Sequence, residues 1–449
     1  MSFDYRVNPQ APADSLEAKQ PTVDNGLDVL DPARYYSTDF QRKERERLWP
    51  RAWLLAGVTS DLPEAGDYTV FEVGHESIVL VRQAGGAIRA YANVCPHRGN
   101  KVVLNERGSA ERFTCAFHGW QFCTDGRLQG ITDEDSFHPQ LVAHRPGMPE
   151  VRSETHAGLV FINLDGKAPP LADWIGLPKG YLEMYEIDRM HVVRHVRSEW
   201  LANWKTGLDA FYENYHLPHV HPQTQGVLED HAQYDLYPNG FSRMIVQLCK
   251  KSHRLADQET VDAGLQFMMR DAGMDPDGFH GPAGDVRAAV QQSKRARAKR
   301  LGLEHYDRFV DGQLTDSWVT GVFPNVQIGC HPEGVMIMRF LPHPTDPERF
   351  YYDTMTMFRY VDDPNYTVPA WMGLPKDVDV SGAVRPNCVF VPAGMSPDLG
   401  EVLDQDVELV PVVQQGLHSR FYRGALWGDQ EVRIRHFHRE LDRYLVGER

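Results

Sequence analysis

Cys95-Pro96-His97-Arg98-Gly99 is followed, with seventeen residues intervening after His97, by Cys115-Ala116-Phe117-His118-Gly119-Trp120. Each segment pairs one thiol with one imidazole at a spacing that lets a tight turn present both to one site. Two cysteines with two histidines suit tetrahedral zinc, or a [2Fe-2S] cluster with one iron on sulfur and the other on nitrogen; ligand softness alone does not choose. Residue order bears on the choice. Zinc sites of this composition more often pair like with like, whereas here each segment is mixed, and Pro96, Gly99 and Gly119 leave the backbone free to approach bridging sulfides. Cys123 lies outside the pattern and reads as a small buried hydrophobe.

Around these segments, from Trp53 to about Asn163, the text is one of short β-branched or alternating runs: Tyr68-Thr69-Val70-Phe71, Ser77-Ile78-Val79-Leu80-Val81 and Leu159-Val160-Phe161-Ile162. Gly and Asp turns separate them, which predicts a compact all-β domain. Upstream, Ser37 and Thr38 can cap a charged helix through Gln41, Lys43, Glu44 and Leu48 that Pro50 limits. Downstream, Gly166 to Pro178, with Pro169 and Pro170, marks a boundary. Strand-like text at His191 to Val196, Val335 to Leu341 and Tyr351 to Arg359 then alternates with helical text at Leu201 to His216, Asp404 to Leu417 and Gln430 to Leu445. That alternation predicts an α+β domain. The expected division is a lead-in at 1–47, a β domain at 48–165, and a larger domain at 166–449 with a helical insertion at about 251–306. Within the insertion, the basic run from Ser293 to Arg300 reads as a solvated helix face, with a lid or a docking surface for a redox partner as the alternative.

A formal charge of -15 over 449 residues argues against nonspecific nucleic-acid binding, which needs basic surface. Six scattered cysteines do not make a disulfide scaffold. The start has no apolar signal-like core and no run of 18 apolar residues occurs, so a cytoplasmic location without a membrane anchor is expected.

A second constellation lies in the larger domain. Asn203-Trp204-Lys205 opens a helical stretch through Asp209 and Glu213 to His216, with His221 beyond it. Glu213 and His216 are expected to share a helix face, and Pro218 to interrupt the helix so that both imidazoles converge. Two imidazoles and one carboxylate with open positions make the facial triad of oxygen-activating ferrous enzymes. A lone histidine on an aromatic helix is usually just hydrogen-bonded, and an Asp near a helix start is usually a cap. Co-occurrence with the first constellation is what raises the metal reading.

The Cys/His segments resemble the Rieske motif, and the chain as a whole resembles the catalytic α subunit of Rieske non-haem iron, aromatic-ring-hydroxylating oxygenases. The likeness rests on Trp53, Pro63-Glu64-Ala65-Gly66-Asp67-Tyr68, Asn93-Val94-Cys95-Pro96-His97, Asn203-Trp204-Lys205, Phe323-Pro324-Asn325, and Asp404-Gln405-Asp406-Val407-Glu408 with Gln414-Gln415-Gly416-Leu417-His418-Ser419. It implies an all-β Rieske domain joined to a catalytic domain whose antiparallel sheet is wrapped by helices in a helix-grip manner. The lead-in would pack on the catalytic domain. It also implies that Cys95, His97, Cys115 and His118 bind a [2Fe-2S] cluster, and that His216, His221 and Asp406 bind a mononuclear Fe(II) with O2 as cosubstrate. Family spacing favours His221 over His219, and alignment on Gln-x-Gly-Leu-x-Ser favours Asp406 over its rival Asp404.

Such subunits resemble one another in forming head-to-tail homotrimers, with or without β subunits, because cluster and iron of one subunit lie too far apart for efficient transfer. A carboxylate bridges two histidines across the interface, here Glu213 toward His118 of a neighbour. Most relatives have Asp at that point, and Glu occurs in oxygenases of quaternary amines. Electrons would come from NAD(P)H through a separate reductase, with or without a ferredoxin. No Gly-x-Gly-x-x-Gly stands in a strand-to-helix context in this chain. Asn203 and Asp209 are expected to orient the iron ligands, and Arg98, Trp120 and Tyr215 to shape the cluster surroundings or the subunit contact. Phe211, Tyr212, Val322, Asn325 and Ile328 are expected to line the pocket, with plain packing as the alternative. The function implied is that of a terminal oxygenase, mono- or dioxygenase, hydroxylating an aromatic or other hydrophobic small molecule. The alternatives are a quaternary-amine monooxygenase or demethylase of the same family, a pure electron-transfer subunit, and a non-catalytic zinc-stabilised binding protein.

Overall fold

Ile78, Val79, Leu80 and Val81 are all buried in strand Glu76–Arg82, because the strand has a core on each face. Ile78 and Leu80 point into the large core of the molecule, while Val79 and Val81 point into a second core that contains Cys95, Cys115 and Trp120. Side chains alternate across a strand, so a continuous apolar run is what two buried faces require. The computed structural model describes residues 5–144, 147–363, 366, 368–370, 374–375 and 377–449.

This strand belongs to a seven-stranded sheet in the order Leu54–Val58, Leu159–Asn163, Glu150–His156, Ile88–Ala92, Glu76–Arg82, Asp67–Val73 and Arg107–Ser109. A separate three-stranded sheet, Arg112–Thr114, Gln121–Cys123 and Leu128–Gly130, packs its Phe113 and Phe122 against the second face of this sheet. The larger unit holds an eight-stranded sheet in the order Gln233–Leu236, Ser242–Val246, Ser317–Val322, Val326–Cys330, Gly334–Pro342, Phe350–Arg359, Met190–Trp200 and Val389–Val391. All its pairs are antiparallel except the last. Helices Trp204–Phe211, Glu401–Leu417 and Val432–Val446 pack over it, burying Trp204, Leu208, Val410, Phe437 and Leu441. The expected α+β class, an all-β domain beside a helix-wrapped antiparallel sheet, is what the chain adopts. No helix among the described residues is long and apolar enough to cross a membrane.

The two units share one core: Leu54, Leu80 and Phe161 lie in the same buried cluster as Trp200, Phe340 and Phe350. Polar ties reinforce the seam. Arg339 donates to the Ala56 carbonyl at 3.0 Å and Arg385 pairs with Asp61 at 2.8 Å. Burial would raise the Asp353 carboxyl, but Arg339 and Arg197 beside it hold it well below its ordinary range. The lead-in helix Thr38–Arg47 begins at Ser37, whose hydroxyl accepts the Phe40 N–H at 3.3 Å. It docks through Glu44, which pairs with Lys205 Nζ at 2.7 Å, both fully buried. Burial pushes the Lys205 ammonium down and Glu44 opposes that shift, so removing Glu44 alone would strand a charge, at a cost of about 3–5 kcal/mol.

Two expectations need correction. The helix that opens at Asn203 does not run to His216: it ends at Phe211, and a separate short turn, Leu217–Val220, begins with Pro218 in its first positions. Glu213 and His216 therefore share a turn rather than a helix face. The Glu213 carboxylate accepts the backbone N–H of Tyr215 and, at 3.1 Å, that of His216, competing with the helical ladder for those donors. The basic run is a solvated face only in part: Ala296, Lys299 and Arg300 are exposed. Lys294 pairs with Glu333 at 2.6 Å and Arg295 with Asp311 at 2.7 Å, which ties helix Val286–Ala298 to the body, and Arg300 just beyond the helix pairs with Asp363.

Candidate metal centres

The two Cys/His segments are the same loop built twice. Cys95 N–H donates to Asn100 O at 2.8 Å and Gly99 N–H to Cys95 O at 2.9 Å; Cys115 N–H donates to Trp120 O at 2.8 Å and Gly119 N–H to Cys115 O at 2.9 Å. Gly99 and Gly119, with φ of 81° and 72°, supply the left-handed residue that closes each turn. Inside each loop, backbone N–H groups aim at sulfur: those of His97 and Arg98 at Cys95, those of Phe117 and His118 at Cys115. Burial pushes the Cys95 thiol up. At Cys115 burial acts the same way, but the Phe117 N–H, then Cys95, the His118 N–H and Asn100 outweigh it and hold the thiol below its ordinary value. Such N–H groups suit thiolates that carry the charge of a metal cluster.

Both cysteines are buried, while the two imidazoles are half-buried with ring centroids 4.5 Å apart. Trp120 stacks on His97 at 4.8 Å and 6°, and the Arg98 guanidinium lies over Phe117 at 5.1 Å. Among the described residues, three groups of His, Cys, Asp or Glu bring three ligand atoms within 4.8 Å of one another, and this quartet is not one of them. As they stand the four do not form one tight ligand set for a single ion, and two sulfurs with two nitrogens are the donor set a [2Fe-2S] cluster would take.

One of the three tight groups is His216, His221 and Asp406. His221, only 1% exposed, places Nε2 3.2 Å from Asp406 Oδ1, and His216 Nε2 lies 3.8 Å from the same oxygen. The remaining ring nitrogens are committed. His221 Nδ1 donates to Gln405 Oε1 at 2.7 Å, an oxygen that also accepts Gln223 Nε2 at 2.8 Å. His216 Nδ1 meets Glu213 Oε1 at 2.5 Å. Both rings are thereby set with Nε2 toward Asp406, the orientation that outer partners impose on metal-ligating histidines. The buried His221 Nε2 has no hydrogen-bond partner, which fits a metal ligand. At His216 burial acts to lower the pKa, but the Glu213 hydrogen bond and charge, then Asp406, raise it.

Asp404, inside the first turn of its helix, is committed to the segment before it: it accepts Ser396 Oγ at 2.9 Å and the Leu399 N–H at 3.4 Å. His219 is exposed. Asn203, expected to orient the iron ligands, instead caps the helix, its Oδ1 accepting the Lys205 N–H at 2.9 Å and its Nδ2 donating to Pro347 O. Asp209 accepts Tyr35 Oη at 2.7 Å and contacts His438 Nε2 at 3.2 Å, a network that continues through Arg34 to Asp442. Its hydrogen bonds go to the lead-in and the last helix, although it borders the same cavity as His216. A cavity of about 420 Å³ opens beside the triad, walled by Leu409, Val413 and Trp427 and carrying Asp209, Glu213, Asp406 and Glu431. The residues expected to line it do not: Phe211, Tyr212, Val322 and Ile328 lie in the main core, and Asn325 Nδ2 donates to Phe340 O.

Sequence reasoning missed Gln405, Gln414, Tyr35 and His438. Gln414 Oε1 accepts the Asn203 N–H at 3.0 Å and Thr206 Oγ1 at 2.8 Å, while its Nε2 donates to Tyr35 O at 3.0 Å. One buried amide thus fixes helix Glu401–Leu417, which carries Asp406, against the helix that leads to His216. Its place at the head of Gln-x-Gly-Leu-x-Ser was the available signal; Tyr35 and His438 gave none. Of the other tight groups, the one made by His195, Asp353 and Cys388 offers a carboxylate already taken by Arg197 and Arg339.

Residues 187–447 match the family model for the ring hydroxylating alpha subunit (catalytic domain), and residues 52–145 match that for the Rieske [2Fe-2S] domain. Biphenyl 2,3-dioxygenase subunit alpha of Rhodococcus jostii is 32% identical over 211 residues, 46% of this chain and 46% of that protein. The carnitine monooxygenase oxygenase subunit of Escherichia coli is 35% identical over 216 residues, 46% of this chain and 54% of that protein. The chain spans about half the length of the curated relatives it matches. In fold, it resembles the crystal structure of a quaternary ammonium Rieske monooxygenase in complex with L-carnitine, with a TM-score of 0.63 at 21% identity over 93% of this chain and 95% of that one.

Proposed function

Because this chain belongs to the family of ring-hydroxylating alpha subunits, whose catalytic-domain model matches residues 187–447, we propose that it is the terminal oxygenase component of a multicomponent system. A separate NAD(P)H-dependent reductase, with or without a ferredoxin, provides the electrons, and an aromatic or other hydrophobic small molecule is hydroxylated. The observation that carries this reading is the convergence of two Nδ1-anchored imidazoles and one carboxylate at His216, His221 and Asp406 in a chain that also carries the paired Cys/His loops. In these two places a [2Fe-2S] cluster supplies one-electron delivery and a ferrous ion supplies O2 activation.

The chain's own residues divide the rest. Cys95, His97, Cys115 and His118 would hold the cluster, buried thiols and half-buried imidazoles supplying its two kinds of ligand. Gln405 and Glu213 keep the triad imidazoles aimed, and Asp406 neutralises charge and completes the ligand face. The units run 48–165 and 166–449 in this reading, with 1–47 as a lead-in whose Glu44 and Tyr35 brace the helix Trp204–Phe211. Copies assemble head to tail as a trimer, so that His118 of one subunit meets Glu213 of the next. Support comes from exposure: Phe117 beside His118 is 55% exposed, Tyr215 beside Glu213 is 65% exposed, and Val412 and Val413, which border the same cavity as Glu213, are exposed too.

A second reading, oxidation of a quaternary amine, is favoured by Glu213 itself and by a cavity that presents four carboxylates and, among the described residues lining it, no Lys or Arg. Oxygen uptake with a surrogate reductase, across aromatic acids, polycyclic compounds and trimethylammonium compounds, decides between them. Uptake with none of these, in protein carrying both metal groups, sinks the oxygenase reading.

A further inference from the structure

Glu229, His231 and His253 form a second group of two imidazoles and one carboxylate, with one ligand atom from each lying within 4.8 Å of the other two. Two backbone segments build it. Glu229 and His231 precede strand Gln233–Leu236, downstream of the turn that follows His221, and His253 stands in the loop beyond strand Ser242–Val246. A β-bridge between Leu228 and Leu248 and a Ser252 N–H to Gln225 O bond of 2.8 Å hold the segments side by side. The His231 and His253 ring centroids are 4.1 Å apart at an angle of 35°.

His253 Nδ1 approaches Glu229 Oε1 at 2.6 Å, and the backbone N–H groups of His231 and His253 reach the same carboxylate at 3.2 and 3.1 Å. The neighbouring cation is spent elsewhere: Arg254 pairs with Asp230 at 2.5 Å, which also accepts Ser252 Oγ at 2.9 Å. Glu229, 7% exposed, takes its counter-charge from His253, whose Nδ1 also lies 3.4 Å from Asp230 Oδ1, and a buried carboxylate is costly without a cation. The His231 ring, packed edge-on against Tyr5 at 5.2 Å, also brings a ligand nitrogen within 4.8 Å of the carboxylate and of the His253 ligand atom. His253 is 44% exposed, so the group opens to solvent on one side and leaves room for water ligands.

We propose that Glu229, His231 and His253 bind one borderline divalent cation of the zinc type per chain, clamping the segment after His221 to the base of the helical insertion. Two imidazoles and a carboxylate are ligands such ions take, at about 2.0–2.2 Å. The proposal is independent of the oxygenase reading.

The test uses the holoenzyme with its iron in place, Zn2+ alone as the probe, calorimetric titration, and zinc and iron counted per chain after dialysis. One zinc per chain is expected with iron content unchanged. His253→Asn, at an exposed position, and His231→Ala should each weaken zinc binding by more than the ~10–100-fold that loss of an outer partner costs. Zinc should raise the melting temperature of the parent protein and not that of His253→Asn. Equal zinc affinity in parent and variants, zinc uptake matched by iron loss, or no uptake at all overturns it.

Discussion

The loops Cys95 to Asn100 and Cys115 to Trp120 are each closed by two backbone hydrogen bonds within six residues, whereas the triad joins a turn at His216 to His221 with a helix whose Gln405 lies 184 positions after His221. The first site is local in its backbone and depends on the fold mainly to bring two copies of one loop together. The second exists only because Gln414 and the shared core bring two distant helices into register. Damage should therefore spread differently from the two.

The largest expected effect comes from ligand removal. Asp406→Ala should lower substrate-dependent oxygen uptake at least ~1,000-fold, the loss of several kcal/mol of metal-assisted stabilisation, with the visible spectrum of the cluster intact. Cys115→Ser should do the reverse, abolishing the spectrum while the triad still takes up Fe(II) in elemental analysis. Loss of the cluster spectrum in Asp406→Ala would break the contrast. Next, a mild chelator should strip the triad before the cluster, since His216 borders an open cavity and both cysteines are buried. Activity should return on adding Fe(II), with absorbance constant throughout.

Gln414→Leu sharpens the comparison, because it touches neither site. It leaves the Asn203 N–H and Thr206 hydroxyl without their acceptor, so unfolding free energy should fall by about 1–3 kcal/mol per stranded group and iron affinity should fall with it. The cluster spectrum should not change. Gln405→Leu should act more narrowly, weakening iron binding by ~10–100-fold with little change in melting temperature, and Gln405→Glu should recover most of it. If Gln405→Leu binds iron like the parent, the orientation of His221 is set by something other than this amide.

The expected strands at Tyr68 to Phe71, Ser77 to Val81 and Leu159 to Ile162 all lie within observed strands, because β-branched runs between Gly turns fit a pleated, buried surface. The helical text from Leu201 overruns the observed helix because periodicity does not register a side-chain carboxylate that takes the backbone donors of Tyr215 and His216. Asn203 and Asp209 point to the metal only by their position in the motif. Their hydrogen bonds go to the helix N-terminus and to Tyr35 and His438, partners from remote parts of the chain.

By itself the sequence determined the class of fold, the paired Cys/His loops and the candidates for the triad, because loop closure and metal-ligand chemistry act over a few residues. Tertiary structure alone decided that Asp404 turns back to Ser396 while Asp406 meets His221, that Gln405 turns the imidazole, and that a buried amide at Gln414 sets the spacing. Those outcomes depend on which remote groups burial leaves without water, and a buried donor or acceptor must find its partner wherever the folded chain provides one.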